Sequence, residues 1–321
     1  MIDVCAAIEA TDANALLKVV DAHCKAREWE DLLTLRLRCR EAVTRGKQLW
    51  SIDEHIRYRL ALEAPPAIAG AAVAEGRARF ALGPLPEVAA VGHSWAELMP
   101  HLPEGPDRAF FAHERVLRGE ELEGIEIDPH VVELPLRLQP WEPAYSLAVY
   151  KSDRAEFPSP DQPAFTSATT QRAARAEDEA EEALASLVNT WVNESNGRAD
   201  VSCVEGDALG AIGAVGPTTV GTALIDARTA LAWMAWAAAS GGAHGKRPGA
   251  AAGRFGAWWA GASLTALEWP PDPEELGEGL DRLRWHAWTD GSSSGWLLRL
   301  AVEDPESGLA WAIAAADAVV G

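Results

Sequence analysis

PTTVGTALIDARTALAWMAWAAASGGAHGKRPGAAAGRFGAWWAGASLTAL, residues 217–267, is the stretch whose reading decides the fold. It reads as two long apolar helices joined by a glycine-rich loop, Gly241 to Gly249. Thr218 and Thr219 offer hydroxyls to the N–H groups of a first helical turn, and Ser240-Gly241-Gly242 offers a left-handed cap. Between those ends Leu224, Leu231, Trp233, Met234 and Trp236 leave only Asp226 and Arg228 charged, the pattern of a helix buried on most of its circumference. In the second arm Gly249, Gly253 and Gly256 recur at spacings of four and three, with Phe255, Trp258 and Trp259 supplying bulk. Each such glycine costs about 1 kcal/mol against alanine, so a close approach of another backbone is expected to offset it.

The loop sets His244, Gly245, Lys246 and Arg247 among flexible amides just ahead of a helix N-terminus, with Arg254 further along that helix. Amide donors, the helix dipole and fixed cations together attract phosphate or carboxylate. These five residues are the candidate ligand site, for an anionic small molecule, against the plainer reading of a solvated turn. The loop is not a P-loop, which needs GxxxxGK[ST] after a strand, and RPGAAAG lacks the strand that an acetyl-CoA loop requires.

Over 321 residues, 48% hydrophobic and 24% charged, there is material for two globular domains with a substantial core. A formal charge of −20 argues against nucleic-acid or anionic-membrane binding, which both need a cationic surface. The acidic opening MIDVCAAIEATDANALL lacks the basic segment of a secretory signal. Cys5, Cys24, Cys39 and Cys203 form no CxxC pair, and a cytoplasmic protein is expected. The histidines His23, His55, His93, His101, His113, His130, His244 and His286 make no HxxxH or HExxH pair, so neither metal nor cofactor is expected.

From Asp12 to Leu122 apolar residues recur three and four apart, giving helices over 13–27, 29–44, 48–63, 67–82, 85–102 and 107–121. Gly46, Pro65-Pro66, Gly83-Pro84 and Gly105-Pro106 punctuate them. Short helical hairpins in succession suggest a stack of helix pairs, and AREWEDLLTLRLRCREAVTRGKQLW has the rhythm of tetratricopeptide repeats without a repeating register. Arg36, Arg38 and Arg40 then fan toward solvent or neighbouring carboxylates. Between residues 124 and 166 a proline-rich run forbids helices and reads as an extended connector laid on a domain surface. A long acidic helix is expected over 167–198, ending at Asn196-Gly197.

The C-terminal domain, 199–321, reads as strands DVSCVE and ALGAIGAVG, the helical hairpin above, and a short helix opened by Asp272-Pro273. Strands LRWHAWTD and GWLLRLAVED follow, then a helix DPESGLAWAIAAADAV capped by Asp304. The likeness of ALAWMAWAAA (230–239) to GLAWAIAAAD (308–317) hints at a duplicated ββα unit. Gly291-Ser292-Ser293-Ser294-Gly295 has the letters of a nucleophile elbow, but a strand follows where the mechanism needs a helix. Cys203 alternates into a core, with no base beside it. Nine tryptophans fall after residue 230, suited to a core, a pocket or a contact surface.

WMAWAAASGGAHGKRPGAAAGRFGAWW, RLAVEDPESGLAW and, near the start, CKAREWEDLL together resemble a family of uncharacterised proteins from high-GC actinobacteria. That resemblance implies no activity and contributes no catalytic residue. The expected fold is α+β overall, with an N-terminal all-α domain of repeat-like helical hairpins (1–123) and a C-terminal ββα-type α+β domain. The expected function is a cytoplasmic interaction or scaffold protein whose helical half binds a protein partner. The alternative is a small-molecule binder or enzyme holding an anion at the Gly241–Gly249 loop.

Overall fold

The computed structural model describes residues 2–127 and 131–318. Asp128, Pro129 and His130 of the expected connector and Val319 of the expected C-terminal helix lie outside them. Two compact units emerge, one of residues 1–131 with 148–156, the other of 132–147 with 157–321.

The first unit is helical: α1 (Val4–Ala10), α2 (Ala13–Ala26), α3 (Trp29–Thr44), α4 (Trp50–Glu63), α5 (Pro66–Ala74), α6 (Leu85–Gly92), α7 (Trp95–Leu98) and α8 (Pro106–Leu117). A two-stranded hairpin, β1 (Val149–Tyr150) with β2 (Ala155–Glu156), completes it. Asp3 and Asp12 start the first two helices by accepting from the Ala6 and Ala15 amides, each at 3.0 Å. The core runs through Leu16, Val20, Leu32, Leu35, Cys39, Ile52 and Ile56 at helical spacing. Arg36 does find carboxylates: it is buried and donates from Nε to Asp53 (2.7 Å) and from both terminal nitrogens to Glu75 (2.5 and 2.7 Å). Three expected helices are shorter than read, the one over 107–121 ending at Leu117. The one over 67–82 stops at Ala74, and the one over 85–102 breaks after Gly92, where Ser94 and Glu97 form a capping box that starts a new turn.

In the second unit the α+β class holds, while several segments change type. The expected acidic helix over 167–198 is instead β3 (Thr166–Thr169), β4 (Ala174–Ala176) and two short helices, α9 (Ala180–Ser186) and α10 (Asn189–Glu194). After β5 (Arg198–Glu205), ALGAIGAVG is the helix α11 (Ala208–Val215), because Asp207 caps it by accepting from the Gly210 amide at 2.8 Å. The first arm of the central hairpin divides into β6 (Thr219–Ile225) and α12 (Ala227–Ala239). Asp226 is the cap, accepting from Thr229 N–H at 2.7 Å, and the β-branched Thr219, Val220 and Thr222 extend before it. The second arm is α13 (Ala250–Leu264), and the helix at Asp272-Pro273 is α14 (Pro273–Arg282).

The sheet closes with β7 (Arg284–Thr289), β8 (Trp296–Asp304) and β9 (Leu309–Asp317), where the expected last helix becomes a strand and no ββα duplication remains. All neighbours pair antiparallel in the order β3-β6-β7-β8-β9-β5-β4. Since successive strand residues face opposite ways, β9 sends Ala310, Ala312 and Ala314 toward α11 with Val204 and Ile212. Trp311, Ile313 and Ala315 go to the other face, where α9 and α12 pack on the sheet. Buried on both faces, β9 shows no alternation in its sequence.

Residues 132–147 pack against this unit, with one side of the segment buried and Glu133, Arg137, Pro140 and Ala144 exposed. Val132, Leu134, Gln139 and Glu142 are buried, Trp141 meets Trp258 with ring centroids 5.0 Å apart, and Trp141 Nε1 donates to the Pro273 carbonyl (2.9 Å).

Candidate functional site

The loop of residues 241–249 closes over tryptophans. Trp236 stacks on Trp296 at 5.3 Å, and Trp191 meets both at steep angles, 5.9 and 6.4 Å away. Trp191 Nε1 donates to Ser240 Oγ (2.7 Å), tying the end of α12 to α10. Gly242 has φ +65, and a Cβ there would stand 2.2 Å from Asp317 Oδ2, so glycine is what lets the loop meet that carboxylate.

The loop's backbone amides are taken by acceptors that the chain supplies itself. Ala243 N–H donates to Asp317 Oδ2 (2.6 Å), Lys246 N–H to Glu194 Oε2 (3.2 Å) and His244 N–H to Ser195 Oγ (3.1 Å). The Arg247 guanidinium lies 4.9 Å from the centroid of the Phe157 ring. Of the five candidate residues, His244, Gly245, Lys246 and Arg247 stay together on the loop, with the His244 and Lys246 side chains exposed. Arg254 leaves them. It is fully buried, donating from Nε to Glu142 Oε2 and from a terminal nitrogen to Glu142 Oε1, both at 2.7 Å, and to the Pro135 and Arg137 carbonyls, both at 2.9 Å. No sequence signal tied Asp317, Glu194 or Glu142 to the loop or to Arg254, since each is remote along the chain.

Other chemical candidates resolve simply. Cys203 is buried, and burial pushes its thiol up to about 11, away from a nucleophile's range. Gly291 to Gly295 form the turn between β7 and β8, with Ser292 N–H donating to Asp290 Oδ1 (3.0 Å). Among the described residues, three metal-capable side chains converge at His23, Glu28 and Asp31, at the surface.

A different surface stands out in the helical unit. Trp50 and Phe80 are 52% and 54% exposed, a costly display for large aromatics. Glu54, one turn after Trp50 on α4, accepts from the Phe80 amide. One turn further, Tyr58 donates to the Lys151 carbonyl and meets Tyr150, 6.2 Å away. A Cβ on Gly83 would run into the Tyr150 ring, so the segment carrying Phe80 and Leu82 lies directly against β1. Leu82 and Val149 are exposed as well, and so are Arg77 and Arg79 in the run leading to Phe80.

The class is thus an α+β protein, a helical unit joined to a seven-stranded antiparallel sheet covered by helices. A profile described as a family of unknown function, DUF6183, matches residues 14–318, and the chain belongs to that family. No curated protein and no solved structure matches it.

Proposed function

We propose that the protein is a protein-interaction module whose helical unit docks a partner on the face of Trp50 and Phe80. The observation behind this reading is that Trp50 and Phe80 are both half-exposed and that Glu54, one turn after Trp50, accepts from the Phe80 amide, with exposed Arg77 and Arg79 in the run leading to Phe80. Trp and Arg are the residues on which contact energy concentrates, and aromatics at a contact exclude water at little entropic cost. The anion-binding alternative is weakened where the loop amides already hold Asp317 and Glu194 and where Arg254 turns inward. Among the described residues no helix is long and apolar enough to cross a membrane. The four cysteines are free thiols, which agrees with the cytoplasmic setting proposed.

The test compares the full chain with its Trp50→Ser/Phe80→Ser variant by chemical cross-linking in the cells that make it, followed by quantitative identification of captured proteins. A partner cross-linked to residues of the helical unit, and reduced roughly thirtyfold by the double substitution as for loss of about 2 kcal/mol at a hot spot, supports the reading. Capture that does not differ between two equally folded chains overturns it.

A further inference from the structure

In the helical unit, residues 76–80 run along α4 between two fixed points. Arg57 donates from a terminal nitrogen to the Ala72 and Gly76 carbonyls (3.0 and 2.7 Å), and Glu54, three residues earlier on α4, accepts from the Phe80 amide. The run therefore follows α4 toward its N-terminal end, where Trp50 lies one turn beyond Glu54. Arg77 and Arg79 fall between the two pins, and both are exposed.

Charge along this stretch is unevenly engaged. Glu75 is held by both terminal nitrogens of Arg36 (2.5 and 2.7 Å) and more loosely by Arg40 (3.4 Å), and the Arg36 bonds keep its pKa below the ordinary carboxylate value. Asp53 is taken by Arg36 Nε (2.7 Å), and Glu54 by the Phe80 amide. Asp107 on α8 meets Arg77 through charge alone, and less than it meets Arg57. Among the described residues Arg77 and Arg79 form no hydrogen bond and no ion pair, so Asp53, Glu54 and Glu75 are occupied while two guanidiniums are not.

A surface arginine by itself is ordinary. These two share a pinned run with Phe80, 54% exposed, and that run is fastened to the helix of Trp50, 52% exposed. A partner that covers the two rings must bring bulky apolar side chains. Whatever it sets against Arg77 and Arg79 must accept hydrogen bonds, since a guanidinium has five donors and no acceptor. A carboxylate matches that fork with two parallel bonds. Nucleic acid also offers acceptors, but it binds through many phosphates to a broad cationic surface, and this chain carries a formal −20. At physiological salt the Debye length is about 8 Å, so distant acids are screened and the two arginines act on what touches them.

We propose that the face of Trp50 and Phe80 takes an acidic peptide segment with bulky apolar side chains, its carboxylates set against Arg77 and Arg79. This rests on the docking reading above and adds the partner's charge.

Selection of phage-displayed random short peptides on the full chain, at about 0.15 M salt, tests it. Parallel selections use Trp50→Ser/Phe80→Ser, Arg77→Glu/Arg79→Glu and the milder Arg77→Gln/Arg79→Gln. Both arginines are exposed, so the charge variants are expected to melt with the parent. The expected result is enrichment of peptides that combine Asp or Glu with Leu, Phe or Trp. Binding of those peptides, once synthesised, should weaken about tenfold or more on charge reversal, less with glutamine, and vanish in the Trp50→Ser/Phe80→Ser chain. Peptides that need the aromatic pair yet are neutral or basic, or that bind the charge-reversed chain as well as the parent, overturn the acidic partner and leave the docking face standing. No enrichment, or enrichment indifferent to the aromatic pair, overturns both. Self-association of the full chain that charge reversal abolishes would assign the face to a second copy, and displacement of the peptides by a short oligothymidylate would assign it to nucleic acid; either result overturns the proposal.

Discussion

Arg254 and Glu142 form a bidentate ion pair, 2.7 Å at each contact, in which neither side chain is exposed at all. Glu142 Oε2 also accepts from Trp258 Nε1 (3.0 Å) and from the Tyr145 hydroxyl (2.5 Å), and Oε1 accepts from the Gln139 amide (2.9 Å). The arginine offered by the sequence as part of an anion site has therefore captured an anion, one brought in by residues 132–147. Its four donors hold that segment against α13 through both a carboxylate and two backbone carbonyls.

Removing one charge from this pair should cost far more than removing both. Glu142→Gln leaves a guanidinium in a dry interior, an error worth about 3–5 kcal/mol. The double variant Glu142→Gln/Arg254→Met leaves no uncompensated ion and is expected to recover most of that loss. Denaturation followed by tryptophan fluorescence reads this unit, since Trp141 and Trp191 join the nine tryptophans after residue 230, making eleven of the fourteen. Equal destabilisation by the single and double variants would contradict the pairing.

The same carboxylate fixes an acid limit. Burial alone would push Glu142 up, but the hydrogen bonds and charge of Arg254, with those of Tyr145 and Gln139, outweigh it and hold its pKa below the ordinary carboxylate range. A depressed folded pKa means that the unfolded chain binds the proton first. The stability it contributes is thus complete above the unfolded value of about 4.3 and is lost as pH falls through the lower, folded value. Unfolding free energy measured by denaturant from pH 7 downward should decline below about 4.3, less steeply in the Glu142→Gln/Arg254→Met chain. An identical slope in that variant would show that other carboxylates carry the effect.

How far the sequence speaks differs between segments for identifiable reasons. Helices α2 and α3 were readable almost to the residue because Asp12 opens one and Gly46 follows the other, while the apolar stripe is one-sided. In the second unit, β7, β8 and α14 were equally plain. The two alanine-rich runs were not, since 230–239 lies in α12 and 308–317 lies almost wholly in β9 with nearly the same composition. A central strand buried on both faces loses its period of two. What separates them is local: Asp226 caps a helix, whereas Gly308 at φ +73 closes a turn back onto β8. Arg254 was visible as a notable cation, but its partner stands 112 residues away in a run taken for a connector. The loop 241–249 offers amide donors that the sequence made visible, and only folding reveals that Asp317 and Glu194 arrive there to accept from them.

Opposite outcomes are expected from two small substitutions in and just after α13. At Gly253 a Cβ would stand 2.3 Å from the Ala235 carbonyl oxygen and 2.7 Å from the Ala239 Cβ, so α12 and α13 meet there with no room for a methyl group. Helix propensity alone favours alanine by about 1 kcal/mol, yet the two helices would have to part, and Gly253→Ala should destabilise by about 1–3 kcal/mol. Just beyond the helix, Ala266 sits at φ +54 in a left-handed cap, with Leu267 N–H donating back to the Ala262 carbonyl at 2.9 Å. An alanine in that conformation costs about 1–2 kcal/mol, partly offset by the extra freedom glycine gives the unfolded chain, about 0.4–1 kcal/mol. Ala266→Gly should therefore stabilise by between about 0 and about 1.6 kcal/mol. Denaturation midpoints of the two variants should move in opposite directions from the parent. A stabilised Gly253→Ala chain would mean that the close helix contact does not exist in solution, and a destabilised Ala266→Gly chain that the cap is not left-handed.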